Sequence, residues 1–261
     1  MKNKGRGTVE GQQLRRNRIT RIASEQGAVS VIALAEEFGV SAMTIYRDVA
    51  ALEELRLVNL VKGDVHASTT ARSEASAIFR MEQNKGAKEV IARKAAAMVP
   101  VGSSIIVDDS TTCLYLLDEL LEQGPYNVIT NSLLAARRVS QSPDARLQIL
   151  GGEYEKWADS LTGSPVHNAI RALSVDFCFL SASGVLKGGC YHPYLSMASI
   201  KSDMISVAET SMLLVDHTKF DRRGVHKFAD LADFQVVLTD GGISEEKKIQ
   251  LQELGNLQIA S

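Results

Sequence analysis

Cysteine is scarce in this chain: its 261 residues contain three, Cys113, Cys178 and Cys190. They are scattered, odd in number and form no C-x-x-C pair, which argues against a disulfide framework or a zinc site and for a reducing compartment. The five histidines show no metal-ligand spacing, so neither a metal nor any other cofactor is expected. No apolar run approaches the roughly 20 residues that span a bilayer. No apolar signal core follows the basic residues Met1 to Thr8, so export is not expected. Internal repeats and low-complexity segments are missing too. The expectation is a cytoplasmic protein without a membrane partner, long enough for two domains with separate cores.

Charge is present but unevenly placed. The formal net charge is −2, yet residues 1–67 carry ten Lys and Arg against eight Asp and Glu, and residues 1–24 carry seven against one. Arg15, Arg16, Arg18 and Arg21 fall on or beside a first helix. Such a cluster suits DNA phosphates, which supply affinity without sequence information. Alone it would read as a solvated helix face.

The next segment decides between these. Ser30 is a good N-cap for a short helix carrying Ile32, Leu34, Ala35 and Phe38 on one side, and Gly39 tolerates the left-handed conformation of a tight C-cap. Ser41 caps a second helix, Ala42 to Leu55. There Ile45, Val49 and Leu52 form the buried seam, with Met43, Arg47, Ala50 and Glu54 opposite and Thr44 and Tyr46 flanking. Val58 to Val61 and Lys62 to Val65 read as two strands around a Gly63-Asp64 turn. This is a winged helix-turn-helix, whose second helix enters a DNA major groove. The expected DNA contacts are Ser41, Met43, Thr44, Tyr46, Arg47, Arg15, Arg18 and Lys62.

Val29-Ser30-Val31, Ala35 to Ser41, Met43-Thr44-Ile45 and Arg47-Asp48 resemble the N-terminal signature of the DeoR family. Its members are bacterial transcriptional regulators, mostly repressors of sugar-uptake and sugar-catabolism genes. Tyr46 stands where that pattern usually has another Arg, and Lys62-Gly63-Asp64 where it usually has His-Gly-Gly.

Three segments are expected: a DNA-binding domain over 1–67, a linker helix over 68–99 and an α/β domain over 100–261. Ala67 to Ser76 opens into one long helix, about Ala71 to Val99, with Arg80, Asn84 and Lys88 on a polar stripe. Beyond Pro100, apolar runs at Ile105–Val107, Asn127–Ile129, Leu147–Leu150, Phe177–Leu180, Leu213–Val215 and Val236–Leu238 alternate with helical segments. Those helices are Leu114 to Glu122, Leu133 to Val139, Ala198 to Ala208 and Glu245 to Leu254. Strands too apolar for a wet face indicate a parallel sheet covered by helices on both sides.

In such a sheet ligands bind beyond the carboxyl ends of the strands. Those ends read Asp108-Asp109-Ser110-Thr111-Thr112, Thr130-Asn131-Ser132, Gly151-Gly152, Ser181-Ala182-Ser183-Gly184 and Asp216-His217-Thr218-Lys219-Phe220. Each alone suits an N-cap or tight turn. Together, with hydroxyls at a helix start and Lys219 near by, they suit a phosphorylated polar ligand.

Asp108 to Thr112, Thr130-Asn131-Ser132, Gly151-Gly152, Lys201 and Asp216 to Phe220 resemble the effector domain of the DeoR family, whose fold is similar to ribose-5-phosphate isomerase. The resemblance implies a sugar phosphate held by Asp109 to Thr112 with Lys219 or Lys201. With the strand ends read above and Lys187, the candidate effector set is Asp108, Asp109, Ser110, Thr111, Thr112, Asn131, Ser132, Gly152, Ser183, Gly184, Lys187, Lys201 and Lys219. Ser110 stands where many members have Gly, and Met197 where many have Glu.

The rival reading is a sugar-phosphate isomerase with an attached DNA-binding domain. Lys187-Gly188-Gly189 resembles the isomerase substrate loop. Where those enzymes place catalytic carboxylates, this chain has Ser183, Gly184 and Leu186, and aldose–ketose isomerisation needs a carboxylate to move a proton. A regulator, not an enzyme, is therefore expected. One reading helix covers few base pairs, so its partners should be a double-stranded operator, a phosphorylated sugar and further copies of itself in a dimer or tetramer.

Overall fold

The computed structural model describes residues 9–54, 57–67, 77–252 and 256–260. The chain divides into two units, Met1–Arg80 and Met81–Ser261.

The first unit runs α1 (Val9–Gln26), β1 (Ala28–Ser30), α2 (Val31–Phe38), α3 (Ala42–Glu54), β2 (Val58–Val61) and β3 (Asp64–Ala67). Ser30 caps α2 by accepting the Ala33 N–H at 3.1 Å, and Gly39 closes it at φ 60°. Ile45, Val49 and Leu52 of α3 are buried with Ile19, Leu34, Val58 and Val65. The wing has three strands in the order β1-β3-β2, because the short segment before α2 pairs antiparallel with β3. Its turn is Lys62-Gly63, both at positive φ, one residue earlier than expected. Ile32 is 67% exposed. Val31 takes its place, since Val31, Leu34, Ala35 and Phe38 keep the i, i+3, i+4, i+7 spacing of one face. Leu55, the expected end of α3, lies outside the described residues.

One ion cluster holds these helices. Asp48 of α3 is fully buried and accepts from Arg15 Nε at 2.6 Å, Arg16 Nε at 2.9 Å and Gln12 Nε2 at 3.2 Å, all from α1. Arg15 is thus a structural cation, nine-tenths buried, and not the phosphate contact its basic neighbourhood suggests.

The boundary between the units falls within α4 (Ala77–Glu82), which α5 (Lys85–Ala96) follows. The single linker helix expected from Ala71 to Val99 is broken at Asn84, at φ 51°; residues 68–76 lie outside the described set. The Asn84 amide donates to Asp216 Oδ1 at 3.0 Å and Thr218 Oγ1 at 3.1 Å, which compensates the unusual backbone. Lys88, expected on an outward polar stripe, is buried.

There follow β4 (Ser104–Val107), α6 (Thr111–Gln123), β5 (Asn127–Thr130), α7 (Leu133–Val139), β6 (Arg146–Ile149), β7 (Glu153–Glu155), β8 (Ser160–Thr162) and α8 (Ser164–Arg171). Next are β9 (Val175–Leu180), β10 (Gly184–Leu186), β11 (Gly189–His192), α9 (Leu195–Ser206), β12 (Ala208–Leu214), β13 (His226–Asp230), β14 (Val236–Asp240), α10 (Glu245–Gln252) and β15 (Leu257–Ala260). A seven-stranded sheet has the order β15-β14-β12-β9-β4-β5-β6, with every pair parallel. All six strands expected from sequence belong to it; β15 is the seventh. Contrary to the dry strands expected, β6 is largely exposed, as an edge strand can be. Antiparallel β10-β11-β13 and the β7-β8 hairpin are additions.

From β4 the chain goes first to β5 on one side and later to β9 on the other. The strand order therefore reverses beside β4, which makes its carboxyl end the switch point where open α/β sheets bind ligands.

Replacing Asp48 by Ala should strand the buried Arg15 guanidinium and cost about 3–5 kcal/mol. In denaturant, far-ultraviolet circular dichroism should show an early transition. Fluorescence of Trp157, in the other unit, should unfold as in wild type. A wild-type dichroism curve would show that the cluster does not hold the first unit.

Candidate functional site

On α3, Met43 and Arg47 are exposed on the face opposite the Ile45–Val49–Leu52 seam, and Tyr46 is exposed beside it. Ser41 Oγ accepts the Thr44 N–H at 3.2 Å and lies 2.9 Å from the Thr44 hydroxyl, so both polar residues finish the helix start. Arg18 is exposed, pairs with Glu37 at 2.9 Å and lies 4.9 Å above the Phe38 ring. Lys62 is exposed at the wing turn. Of the expected contacts, Arg15 alone is turned into the core.

The second candidate site starts at the switch point. Ser110 has extended backbone and its Oγ accepts the Cys113 N–H at 3.3 Å, so α6 begins at Thr111. The first N–H groups of a helix have no intrahelical acceptor and, with the helix dipole, favour an anion.

Below this loop Asp108 is buried. It accepts the Ser110 N–H at 2.9 Å and, from the end of β9, the Ser181 N–H at 2.9 Å. It also pairs with Lys201 of α9, whose Nζ lies 3.6 Å from Asp109 Oδ1. Burial pushes the Asp108 pKa up, but the Lys201 ammonium and the hydrogen bonds from Lys201, Ser110 and Ser181 outweigh it and hold the carboxyl below its ordinary value. Burial likewise opposes charge on Lys201, and Asp108 and Asp109 overcome it, so its pKa is raised. Both are charged at neutral pH. Lys201 is therefore the buried counter-charge of the two aspartates, a correction to its reading as a cation offered to phosphate, and Asp108 is a scaffold carboxylate.

The other strand ends divide similarly. Asn131 is buried; its Nδ2 donates to Leu161 O at 2.9 Å. Ser132 caps α7 by accepting the Ala135 N–H at 3.2 Å. A Cβ on Gly152 would lie 2.2 Å from the Thr162 carbonyl oxygen, and one on Gly184 2.5 Å from that of Arg222. Both glycines are required by packing, which accounts for them without a ligand. The Ser183 N–H donates to Tyr191 O at 3.1 Å, tying it to β11. Lys187, in the β10–β11 turn at φ 49°, is exposed. Lys219 ends a short 3-10 turn, His217–Lys219, that Asp216 caps by accepting the Thr218 N–H at 3.1 Å.

Four buried polar atoms remain without a hydrogen-bond partner at these ends: Asp109 Oδ2, Asn131 Oδ1, Asp216 Oδ2 and Thr239 Oγ1. The first three can only accept, so what satisfies them must bring donors. Thr239 and Asp240, at the end of β14, were not foreseen; the strand runs two residues past its apolar stretch. Asp240 holds His217 through a 2.7 Å Oδ2–Nδ1 contact and accepts the His217 N–H at 2.8 Å.

Cys113 and Cys178, both buried, have thiol pKa values pushed up by burial, and that of Cys190 is pushed up to about 12. Such thiols stay protonated and are poor nucleophiles. Among the described residues no cluster of His, Cys, Asp or Glu could hold a metal, and no helix is long and apolar enough to cross a membrane.

Residues 83–241 match the DeoR C terminal sensor domain, and residues 15–70 the DeoR-like helix-turn-helix domain. The glycerol-3-phosphate regulon repressor of Escherichia coli (strain K12) is 30% identical over 234 residues, 88% of this chain and 91% of the relative. The putative aga operon transcriptional repressor of Escherichia coli O157:H7 is 26% identical over 254 residues, 96% and 94%. The L-fucose operon activator of Haemophilus influenzae is 27% identical over 223 residues, 85% and 89%. The solved ribose 5-phosphate isomerase of Methanocaldococcus jannaschii superposes with a TM-score of 0.40 at 19% identity, covering 53% of this chain and 55% of that one.

The Asp108–Lys201 pair gives a signed expectation. Asp108, with its pKa lowered, stabilises the fold above the ordinary carboxyl range and loses that contribution only as pH falls below about 4. Lys201, with its pKa raised, contributes until pH rises past about 10.5. Stability from the pair should therefore be flat between pH 5 and 9. Lys201→Met should cost about 3–5 kcal/mol at pH 7, and adding Asp108→Asn should recover part of it by removing the stranded charge. Urea unfolding of the three proteins checks this; a double variant no better than Lys201→Met would refute it.

Proposed function

The chain belongs to the DeoR family and is a DNA-binding transcriptional regulator; from that premise we propose that it represses genes of carbohydrate uptake or catabolism under the control of a phosphorylated sugar. The observation that carries the effector reading is the set of buried acceptors without partners, Asp109 Oδ2, Asn131 Oδ1 and Asp216 Oδ2, beside a hydroxyl-capped helix start. The helix start offers donors to a phosphate, and the carboxylate and amide oxygens take the hydroxyl protons of a sugar. Lys219 supplies a further positive charge. Repression is the proposed direction because two of the three relatives named above are repressors.

The domain is proposed to sense and not to convert its ligand. Asp108 is committed to Lys201 and two backbone N–H groups, and the segment after β9 offers Ser183, Gly184 and Leu186 in place of a carboxylate. Arg47, Tyr46 and Met43 are proposed to face base edges, with Arg18 and Lys62 on phosphates. A dimer or tetramer is proposed, because a single reading helix covers too little sequence for a specific site.

Arg47→Ala should cost about 1–3 kcal/mol in operator binding, while Arg18→Ala should weaken all DNA alike and reduce the salt dependence. Fluorescence anisotropy at several salt concentrations separates the two. Operator binding unchanged in a folded Arg47→Ala protein would overturn the assignment of α3 as reading helix.

Effector control is tested with a panel of sugar phosphates, first by thermal shift and then by operator titration. Coupling of about 1–3 kcal/mol would change operator affinity roughly 5- to 150-fold, and operator must change effector affinity by the same factor. Thr111→Val or Lys219→Ala should abolish the response and leave effector-free DNA binding intact. A response that survives both substitutions would remove the anion loop from the mechanism.

A further inference from the structure

Trp157 is the single tryptophan of the chain and is half-buried in the loop between β7 and β8. Its ring centroid is 4.5 Å from that of Tyr194, with planes 37° apart, and 6.5 Å from that of His192. His192 is buried, and its Nδ1 accepts the Tyr194 N–H at 3.2 Å, which fixes the residue that starts α9. The three rings thus form one aromatic cluster.

Its position follows from the backbone. The β7-β8 hairpin is joined to the end of β5: the Leu133 N–H donates to Asp159 O at 2.9 Å, and the Leu161 N–H to Asn131 O at 2.8 Å. Ser160, three residues after Trp157, has its hydroxyl 4.0 Å from the Met197 sulfur, on the first turn of α9. Lys201, one helical turn beyond Met197, pairs with Asp108 under the anion loop. The backbone therefore brings the loop that carries Trp157 beside the strand end with the unpartnered Asn131 Oδ1, and Tyr194 caps the helix that carries the buried Met197 and Lys201.

We propose that Trp157 and Tyr194 form a wall for the apolar face of a ring-form sugar, so that the effector is a cyclic sugar phosphate and not a short open-chain polyol phosphate. The inference rests on the sugar-phosphate reading above and narrows it. A sugar ring presents C–H groups on one face and hydroxyls at its edge. Flat aromatic surface matches the first, and Asn131 Oδ1 and Asp109 Oδ2 match the second. A three-carbon polyol phosphate has no ring face and gains nothing from the wall. Trp157 acts here in selection among phosphorylated ligands, beyond any part it has in packing the hairpin.

Calorimetry on the full-length protein tests this with hexopyranose 6-phosphates (glucose, galactose and their 2-amino forms), glycerol 3-phosphate and inorganic phosphate. The best hexose phosphate should bind at least about tenfold more tightly than the other two, and should change Trp157 fluorescence in the wild-type chain. Trp157→Ala should lose about five- to tenfold in hexose phosphate affinity, the scale of one aromatic contact. Its affinity for glycerol 3-phosphate should be unchanged, and Trp157→Phe should restore most of the loss. Tyr194→Ala, which keeps the tryptophan, should reproduce the selective loss if Trp157→Ala does not fold.

Equal wild-type affinity for glycerol 3-phosphate and the hexose phosphates, or an equal loss for every ligand in Trp157→Ala, would overturn the wall. An unphosphorylated hexose binding as tightly as its phosphate, still weakened by Trp157→Ala, would support the wall and overturn the anion loop. No binding by any of these ligands would overturn both.

Discussion

The carboxyl edge of the large sheet depends on one buried carboxylate. Asp108 gathers an ammonium from α9, an N–H from its own loop and another from the end of β9. A charge with that little solvent around it is tolerable only when paired and saturated with donors. Its requirements fix where the Ser110 loop starts, how far β9 extends and which face α9 turns to the sheet. The small unit repeats the device with opposite stoichiometry, where Asp48 collects two arginines and a glutamine from α1. In both units a buried acid organises the elements that carry the candidate surface.

The division of polar groups follows from that arrangement. The groups closest to the sheet are occupied by one another and cannot meet a ligand without breaking an ion pair. Those left over are acceptors on Asp109, Asn131 and Asp216, and backbone donors at the start of α6. The thiols stay protonated, and Asp108 stays paired with Lys201.

Much of this was legible in the sequence. The caps at Ser30, Gly39 and Ser41 act locally, and the Ile45–Val49–Leu52 seam repeats at helical spacing, so the helix-turn-helix could be read from neighbouring residues. Six strands of the large sheet, five interior and the edge strand β6, announced themselves by apolar runs. What escaped was non-local or only half-apolar. Arg15 and Lys201 look like surface cations in one dimension; their partners are 33 and 93 positions away. β1 has three residues, and Gln258 interrupts the apolar residues of β15, so neither leaves an apolar run. Ile32 was misassigned because Val31, next to it, fits the same face. Trp157 and Tyr194 meet only once the hairpin is folded onto the start of α9.

The break at Asn84 bears on how a ligand signal could be lost or gained. Its amide holds Asp216 and Thr218, in the loop that ends with Lys219. Two hydrogen bonds, each contributing about 0.5–1.5 kcal/mol, are the same size as a typical coupling energy of about 1–3 kcal/mol. A single side chain therefore holds energy on the scale of the coupling proposed above. Substitution at that one position would free the loop that carries Lys219 from α5 without touching α6.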